Sequence, residues 1–184
     1  MRIGLFGGSF DPVHLGHLLV AWAAREELGL GRLFFVPAAR SPFKPDAAPT
    51  AGRERVRLLR LALAGCDWCE IDEQELRREG VSYTIDTVRD YARRFPGAEL
   101  HYLIGTDHVS RLPEWKEAEE LAKLVRFAVI PRPGVAEAEV SEGFERLVFL
   151  HLFQPEAGQR VRAFFRLGEY LFEMARHALP VPVE

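Results

Sequence analysis

A length of 184 residues, with 48% hydrophobic and 28% charged residues, is typical of one soluble globular domain. The net charge of −3 argues against a general nucleic-acid-binding protein, which would carry a basic excess, so an anionic ligand would need a local cluster of positive groups. No apolar run approaches the roughly 20 residues of a membrane helix. Glycines and an aspartate interrupt the first apolar stretch too early for a signal peptide, so we expect a cytoplasmic protein that does not contact a membrane.

Strand and helix patterns alternate along the chain. Short apolar runs predict strands over residues 2–7, 32–37, 68–72, 99–105, 125–130 and 146–152. Helical periodicity predicts helices over residues 14–28, 51–64, 83–94, 107–111, 115–123 and 157–179, whereas the proline-rich residues 38–50 are predicted to form a surface loop. The alternation predicts an α/β fold, with a parallel sheet covered by helices on both faces, in one domain over residues 1–184. Ligands of such sheets bind beyond the carboxyl ends of the strands.

The loop after the first strand, G-G-S-F-D-P-V-H-L-G-H at residues 7–17, carries the strongest functional signal. Gly7 and Gly8 allow a sharp turn and a close approach to a ligand. The following helix start offers free N–H groups to an anion. His14 and His17 lie three residues apart, so both project from one side of the first helical turn and can donate hydrogen bonds to a phosphate. Neither common phosphate-binding loop, G-x-x-x-x-G-K-[ST] or G-x-G-x-x-G, is present at the first strand.

The H-L-G-H segment at residues 14–17 resembles the H-x-G-H signature of the nucleotidyltransferase superfamily. The resemblance implies a Rossmann-like doubly wound parallel sheet. It also implies catalytic roles for His14 and His17, and an ATP-binding loop that comprises Gly7, Gly8, Ser9 and Phe10.

Later segments resemble one branch of that superfamily, the bacterial nicotinate-mononucleotide adenylyltransferases. S-Y-T-I-D-T at residues 82–87, L-I-G-T-D at residues 103–107, Trp115 and V-R-F-A-V-I-P-R-P-G at residues 125–134 carry this resemblance. It implies that Tyr83, Thr84 and Trp115 bind the mononucleotide, with the indole of Trp115 stacking on the pyridine ring. It further implies ATP-binding roles for Gly105, Asp107, Lys44 and Arg132.

The C-terminal part departs from the pattern of this family. Its second signature, I-S-S-T-x-[IV]-R, is replaced by E-A-G-Q-R-V-R at residues 156–162, which keeps Arg162 as a candidate ATP ligand but no hydroxyl. Two alternatives therefore stay open. One is another nucleotidyltransferase, such as pantetheine-phosphate adenylyltransferase, and the other is a nucleotide-binding sensor with impaired catalysis.

The resemblance implies that ATP and nicotinic acid mononucleotide react to give nicotinic acid adenine dinucleotide and pyrophosphate. Mg²⁺ is expected to accompany ATP, held mostly by phosphate oxygens and water. The sequence shows no dedicated cluster of metal-binding carboxylates. Arg53 is expected to have a structural role. Cys66 and Cys69 have C-x-x-C spacing, but without two further ligands they are expected to be two small half-buried residues beside a strand. We expect no nucleic-acid partner, and the sequence leaves open whether the chain forms a homo-oligomer.

Overall fold

The computed structural model describes residues 1–40, 42 and 49–130. In this part the strands are β1 (Arg2–Gly8), β2 (Arg32–Pro37), β3 (Cys69–Ile71), β4 (Glu99–Gly105) and β5 (Arg126–Ile130). The α-helices are α1 (Leu15–Leu28), α2 (Gly52–Ala62), α3 (Gln74–Arg78), α4 (Thr84–Arg94) and α5 (Ala118–Leu124), and a 3₁₀ helix spans Thr106–Glu114.

All five strands are parallel and lie in the order β3-β2-β1-β4-β5. The chain builds outward from β1 to β3, then returns to the other side of β1 to add β4 and β5. The direction of winding therefore reverses between β1 and β4, and open α/β sheets bind ligands at this reversal. The α/β prediction, with a doubly wound parallel sheet, is confirmed.

Two apolar layers cover the sheet, one on each face. One layer packs side chains of α4 and α5 against the sheet, including Ile85, Val88 and Leu121. The other packs α1 and α2 against the opposite face, including Ala24 and Leu59. Two covered faces explain why the strands read as nearly continuous apolar runs in the sequence.

The ends of the helices follow local sequence signals. Helix α1 ends at Leu28 and is capped by Gly29, which adopts the left-handed conformation (φ 61°, ψ 44°) that glycine enters at little cost. Helix α4 ends at Arg94, the residue predicted, and Pro96 and Gly97 follow shortly after it. Among the described residues, none of the helices is long and apolar enough to cross a bilayer.

The structure differs from the predicted secondary structure at α3 and around residues 106–118. Helix α3 was not predicted, because five residues are too few to show a helical period. Residues 106–114 form a continuous 3₁₀ helix with Pro113 inside it, and α5 begins only at Ala118 rather than at residue 115. The strand and helix predicted over residues 146–152 and 157–179 lie outside the described residues.

Candidate active site

A cavity of about 470 Å³ opens at the carboxyl ends of β1 and β4, a size typical of small-molecule sites. Eleven of the fourteen predicted site residues line it: Gly7, Gly8, Ser9, Phe10, His14, His17, Tyr83, Thr84, Gly105, Asp107 and Trp115. The other three, Lys44, Arg132 and Arg162, lie outside the described residues. Segments far apart in the sequence thus converge on one cleft.

The two glycines that end β1 make room for neighbouring side chains. A Cβ atom at Gly7 would collide with the hydroxyl oxygen of Tyr102, which stands on β4. A Cβ at Gly8 would lie 3.2–3.4 Å from three ring atoms of Phe10. The backbone of this loop can therefore approach a ligand while aromatic rings pack directly behind it.

Phe10 belongs to the core beneath the cavity. It has a positive φ of 47°, and only 2% of its surface is exposed. Its ring lies 5.0 Å from the ring of His17 and 5.5 Å from the rings of Phe6 and Phe35, measured between centroids. The side chain therefore supports His17 from below, and any contact with a nucleotide would come from the backbone of Phe10.

His14 and His17 lie side by side at the start of α1. Their rings are 3.8 Å apart between centroids, and the backbone N–H of His14 donates to Nδ1 of His17 at 3.2 Å. Because Nδ1 accepts this hydrogen bond, the neutral imidazole of His17 must carry its proton on Nε2. His17 is thus arranged as an Nε2–H donor on the cavity wall.

Gly16 keeps the space between the two histidines open. A Cβ atom at this position would lie 3.1 Å from Nδ1 of His14. Such a contact is tighter than ordinary packing and would push the His14 ring away from its position, so the glycine in H-L-G-H has a steric reason.

The second end of the cavity is built on the start of α4. Tyr83 is the N-cap residue of this eleven-residue helix, and Thr84 is its first residue, so their backbone lies where a helix binds anions. Ser82 fastens this start to the end of β2: its N–H donates to the Arg40 carbonyl and its Oγ accepts from the Ala39 N–H, both at 2.9 Å.

Trp115 also lines the cavity. Its half-buried indole is surrounded by three rings at steep angles: Tyr102 at 90°, Phe127 at 86° and His108 at 73°, with centroids 6.0–6.3 Å away. These neighbours fix the plane of the indole. A flat ligand ring therefore has a defined aromatic surface on which to stack.

Charged groups surround the mouth of the cavity. Asp107 is exposed in the first turn of the 3₁₀ helix, and its Oδ2 lies 3.7 Å from Nε2 of His108. Lys116 places its ammonium group 4.6 Å from the centroid of the Tyr83 ring and 3.3 Å from a carboxylate oxygen of Asp86. Sequence reasoning did not select Lys116, although it directly follows Trp115.

Arg55 organises the phosphate-side loop and was also missed. It is 1% exposed, and its guanidinium donates to the backbone carbonyls of Ser9, Ala38 and Thr50. Arg53, to which the structural role was assigned, has an 87% exposed side chain that pairs only with its neighbour Glu54 among the described residues. The structural role that we expected for Arg53 is carried by Arg55, two residues later. The spacing of Arg55 with the buried Leu59 on one helix face was the available signal.

A buried carboxyl group, Glu75 of α3, completes the lining. Thr87 donates a 2.6 Å hydrogen bond to it. Burial raises the pKa of Glu75 above its ordinary value, and the hydroxyls of Thr87 and Ser82 partly oppose the shift. Burial likewise raises the pKa of the Tyr102 hydroxyl, which receives a long hydrogen bond of 3.4 Å from Thr84.

Metal-ligating groups and the two cysteines are the remaining candidates for chemistry. Within residues 1–40, 42 and 49–130, no group of three His, Cys, Asp or Glu side chains could hold a metal ion. Cys66 and Cys69 are free and half-buried, and Cys69 belongs to β3, as the sequence predicted. Burial and the neighbouring Cys66 raise the pKa of the Cys69 thiol, which disfavours the reactive thiolate.

Known proteins resemble this chain in sequence and fold. Residues 5–166 match the cytidylyltransferase-like family. The chain is 45% identical over 134 residues to a protein of Opitutus terrae named probable nicotinate-nucleotide adenylyltransferase, with 73% of this chain and 69% of the relative aligned. A protein of the same name from Thermus thermophilus is 44% identical over 158 residues, which cover 86% of this chain and 81% of the relative.

Among solved structures, nicotinic acid mononucleotide adenylyltransferase of Plasmodium falciparum, complexed with NaAD, superposes with a TM-score of 0.66. The match covers 77% of this chain and 70% of that protein, at 18% sequence identity. At this identity the likeness shows a shared fold.

Proposed function

Because the chain belongs to the nicotinate-nucleotide adenylyltransferase family, we propose that it transfers AMP from ATP to nicotinic acid mononucleotide. The products are nicotinic acid adenine dinucleotide and pyrophosphate. One observation carries the proposal: a single cleft joins a phosphate-type end, at His14 and His17, to an aromatic end, at Trp115 and the start of α4.

At the phosphate end, the mononucleotide phosphate attacks the α-phosphorus of ATP, and the bond to pyrophosphate breaks. Such a phosphate has a second pKa of about 6, so it is already ionised near neutral pH and needs no general base. The work of the protein is therefore to orient the two substrates and stabilise the shifting charge. Nε2–H of His17, the ring of His14 and the N–H groups at the start of α1 donate to the phosphate oxygens.

At the aromatic end, the pyridine ring stacks on Trp115 while backbone N–H groups at Tyr83 and Thr84 bind its carboxylate. The positive end of the α4 dipole and the nearby ammonium group of Lys116 favour a negative ligand here. An amide in place of the carboxylate loses this charge interaction, so the site should prefer the acid over the amide.

Mg²⁺ would enter with ATP, which supplies phosphate oxygens as its ligands, and would neutralise part of the charge of the departing pyrophosphate. Asp107, at the exposed edge, is proposed to bind the ATP ribose, and Lys44, Arg132 and Arg162 are proposed to contact ATP. A cytoplasmic location, the absence of a nucleic-acid partner and the single-domain organisation stay predictions.

The direct test follows pyrophosphate release from purified protein with MgATP and either nicotinic acid mononucleotide or its amide. We expect turnover with the acid and much slower turnover with the amide. Binding of ATP without turnover of either mononucleotide would contradict the proposal and favour the sensor alternative.

Two variants of His17 identify which ring nitrogen acts. His17→Asn places an acceptor near Nδ1 and removes Nε2, whereas His17→Gln places an amide near Nε2 and removes Nδ1. Loss of a transition-state donor typically lowers kcat by about 10²–10³-fold. We expect that loss for His17→Asn and a clearly smaller one for His17→Gln. The reverse order would show that Nδ1, and with it the helix cap, is the important atom.

A further inference from the structure

Glu75 is a buried carboxyl group at the cavity for which the mechanism above has no use. It lies on the short helix α3, and 6% of its surface is exposed. It accepts a hydrogen bond from Thr87, in the first turns of α4, and the hydroxyl of Ser82, just before α4, is close enough to favour its charged form; both residues belong to the S-Y-T-I-D-T segment. The carboxyl group therefore bridges both sides of the start of α4.

The direction of each hydrogen bond shows how this bridge is held. The Ser82 hydroxyl oxygen accepts from the Ala39 N–H, which leaves its own proton available to the nearby carboxylate of Glu75. Thr87 accepts from Arg78 at 2.6 Å and donates its proton to Glu75. The hydroxyl of Thr87 thus has one fixed orientation, and a carboxylate at Glu75 suits both hydroxyls.

We propose that Glu75 is a positioning residue for the mononucleotide: by holding Ser82 and Thr87, it sets the backbone of Tyr83 and Thr84 that receives the pyridine carboxylate. This inference rests on the proposed function. It makes α3 a part of substrate selection, although no residue of that helix needs to touch the substrate.

Charge explains why Glu75 acts through its neighbours. A free carboxylate facing the pyridine carboxylate would repel it. Here the hydrogen bond from Thr87 and the Arg78 guanidinium, 3.8 Å from Oε1, partly compensate the negative charge of Glu75. The phosphate end lies at β1 and α1, so a change at Glu75 should leave binding of ATP almost unaltered.

The test compares Glu75→Met, which removes both acceptors at similar volume, with the conservative Glu75→Gln. Glu79→Gln is the matched control, because Glu79 is exposed at the end of the same helix. For Glu75→Met we expect KM for nicotinic acid mononucleotide to rise about tenfold, with KM for ATP changed less than about twofold. KM for nicotinic acid mononucleotide in Glu75→Gln should lie between the values for the wild type and Glu75→Met, and KM in Glu79→Gln should equal that of the wild type. Equal changes in both KM values, or no change, would overturn the inference.

Ser82→Ala provides a second route if Glu75→Met does not fold. It should raise KM for the mononucleotide in the same selective way, and the Glu75→Gln/Ser82→Ala double variant should show less than the product of the single effects. If the change in KM of the double variant equals the product of the two single changes, Glu75 and Ser82 act independently and the inference is refuted. Wild-type protein that neither binds nor converts the mononucleotide would instead refute the proposed function itself.

Discussion

The contact between Gly7 and Tyr102 can be tested by adding one methyl group. In Gly7→Ala the new Cβ would overlap the Tyr102 hydroxyl oxygen, with Cζ next at 3.2 Å. Tyr102 cannot turn aside easily, because its ring is 8% exposed and packs at right angles to Trp115. Overpacking of this kind costs about 1–3 kcal/mol.

The expected loss is reduced by an effect on the unfolded chain. Alanine restricts that chain relative to glycine and returns about 0.4–1 kcal/mol. We therefore expect Gly7→Ala to lower the free energy of unfolding by about 1–2 kcal/mol, a fall in Tm of about 2–8 °C for a protein of this size. Tyr102→Phe removes the colliding oxygen and only a long, 3.4 Å hydrogen bond, so alone it should cost about 0.5 kcal/mol.

The double variant Gly7→Ala/Tyr102→Phe is the decisive protein. Since the overlap is gone and the effect of alanine on the unfolded chain remains, it should be at least as stable as Tyr102→Phe alone, by up to about 1 kcal/mol. The coupling energy is then the overpacking cost itself, about 1–3 kcal/mol. Urea unfolding of the four proteins, followed by circular dichroism, measures each free energy. If the two changes add to within about 0.5 kcal/mol, the steric account is refuted.

Two further predictions concern stability. Arg55→Met should lower the free energy of unfolding by about 3 kcal/mol in urea titrations, because three backbone carbonyls lose their donor. The control, Arg53→Met, should change the same free energy by no more than about 0.5 kcal/mol, because the Arg53 side chain is exposed. Equal losses in the two variants would contradict this explanation. Burial opposes ionisation of Asp72, but hydrogen bonds from Arg94 and Tyr91 prevail and hold its pKa below the ordinary value. The ionised Asp72 therefore contributes fully to the free energy of unfolding above about pH 4, and this contribution is lost as the pH falls further. In Asp72→Asn, the free energy of unfolding should fall less steeply between about pH 4 and lower pH than in the wild type. An unchanged slope would contradict this role of Asp72.

The sequence predicted what local spacing determines. His14 and His17 are close because three residues separate them at a helix start, and Tyr83 and Thr84 start α4 as their pattern indicates. The strands were found because burial on both sheet faces leaves continuous apolar runs. The convergence of these segments on one cleft follows from the strand order.

The sequence did not reveal features that depend on contacts between residues far apart in the chain. Arg55 looks like one of several arginines on an amphipathic helix, and only the fold brings carbonyls from residues 9, 38 and 50 to it. Glu75 lies on a helix too short to show a period, and its partners follow 7 and 12 residues later. Neither residue belongs to the motifs that indicated the function.

The way Arg55 is bound has an evolutionary consequence. Its three acceptors, at Ser9, Ala38 and Thr50, are main-chain carbonyls, which are chemically the same whatever side chain the residue carries. Substitutions at those positions can accumulate without altering the interaction, whereas lysine in place of arginine would lose the planar fork of donors. Selection on this junction therefore falls on one codon, and pairwise covariation between positions would not detect it.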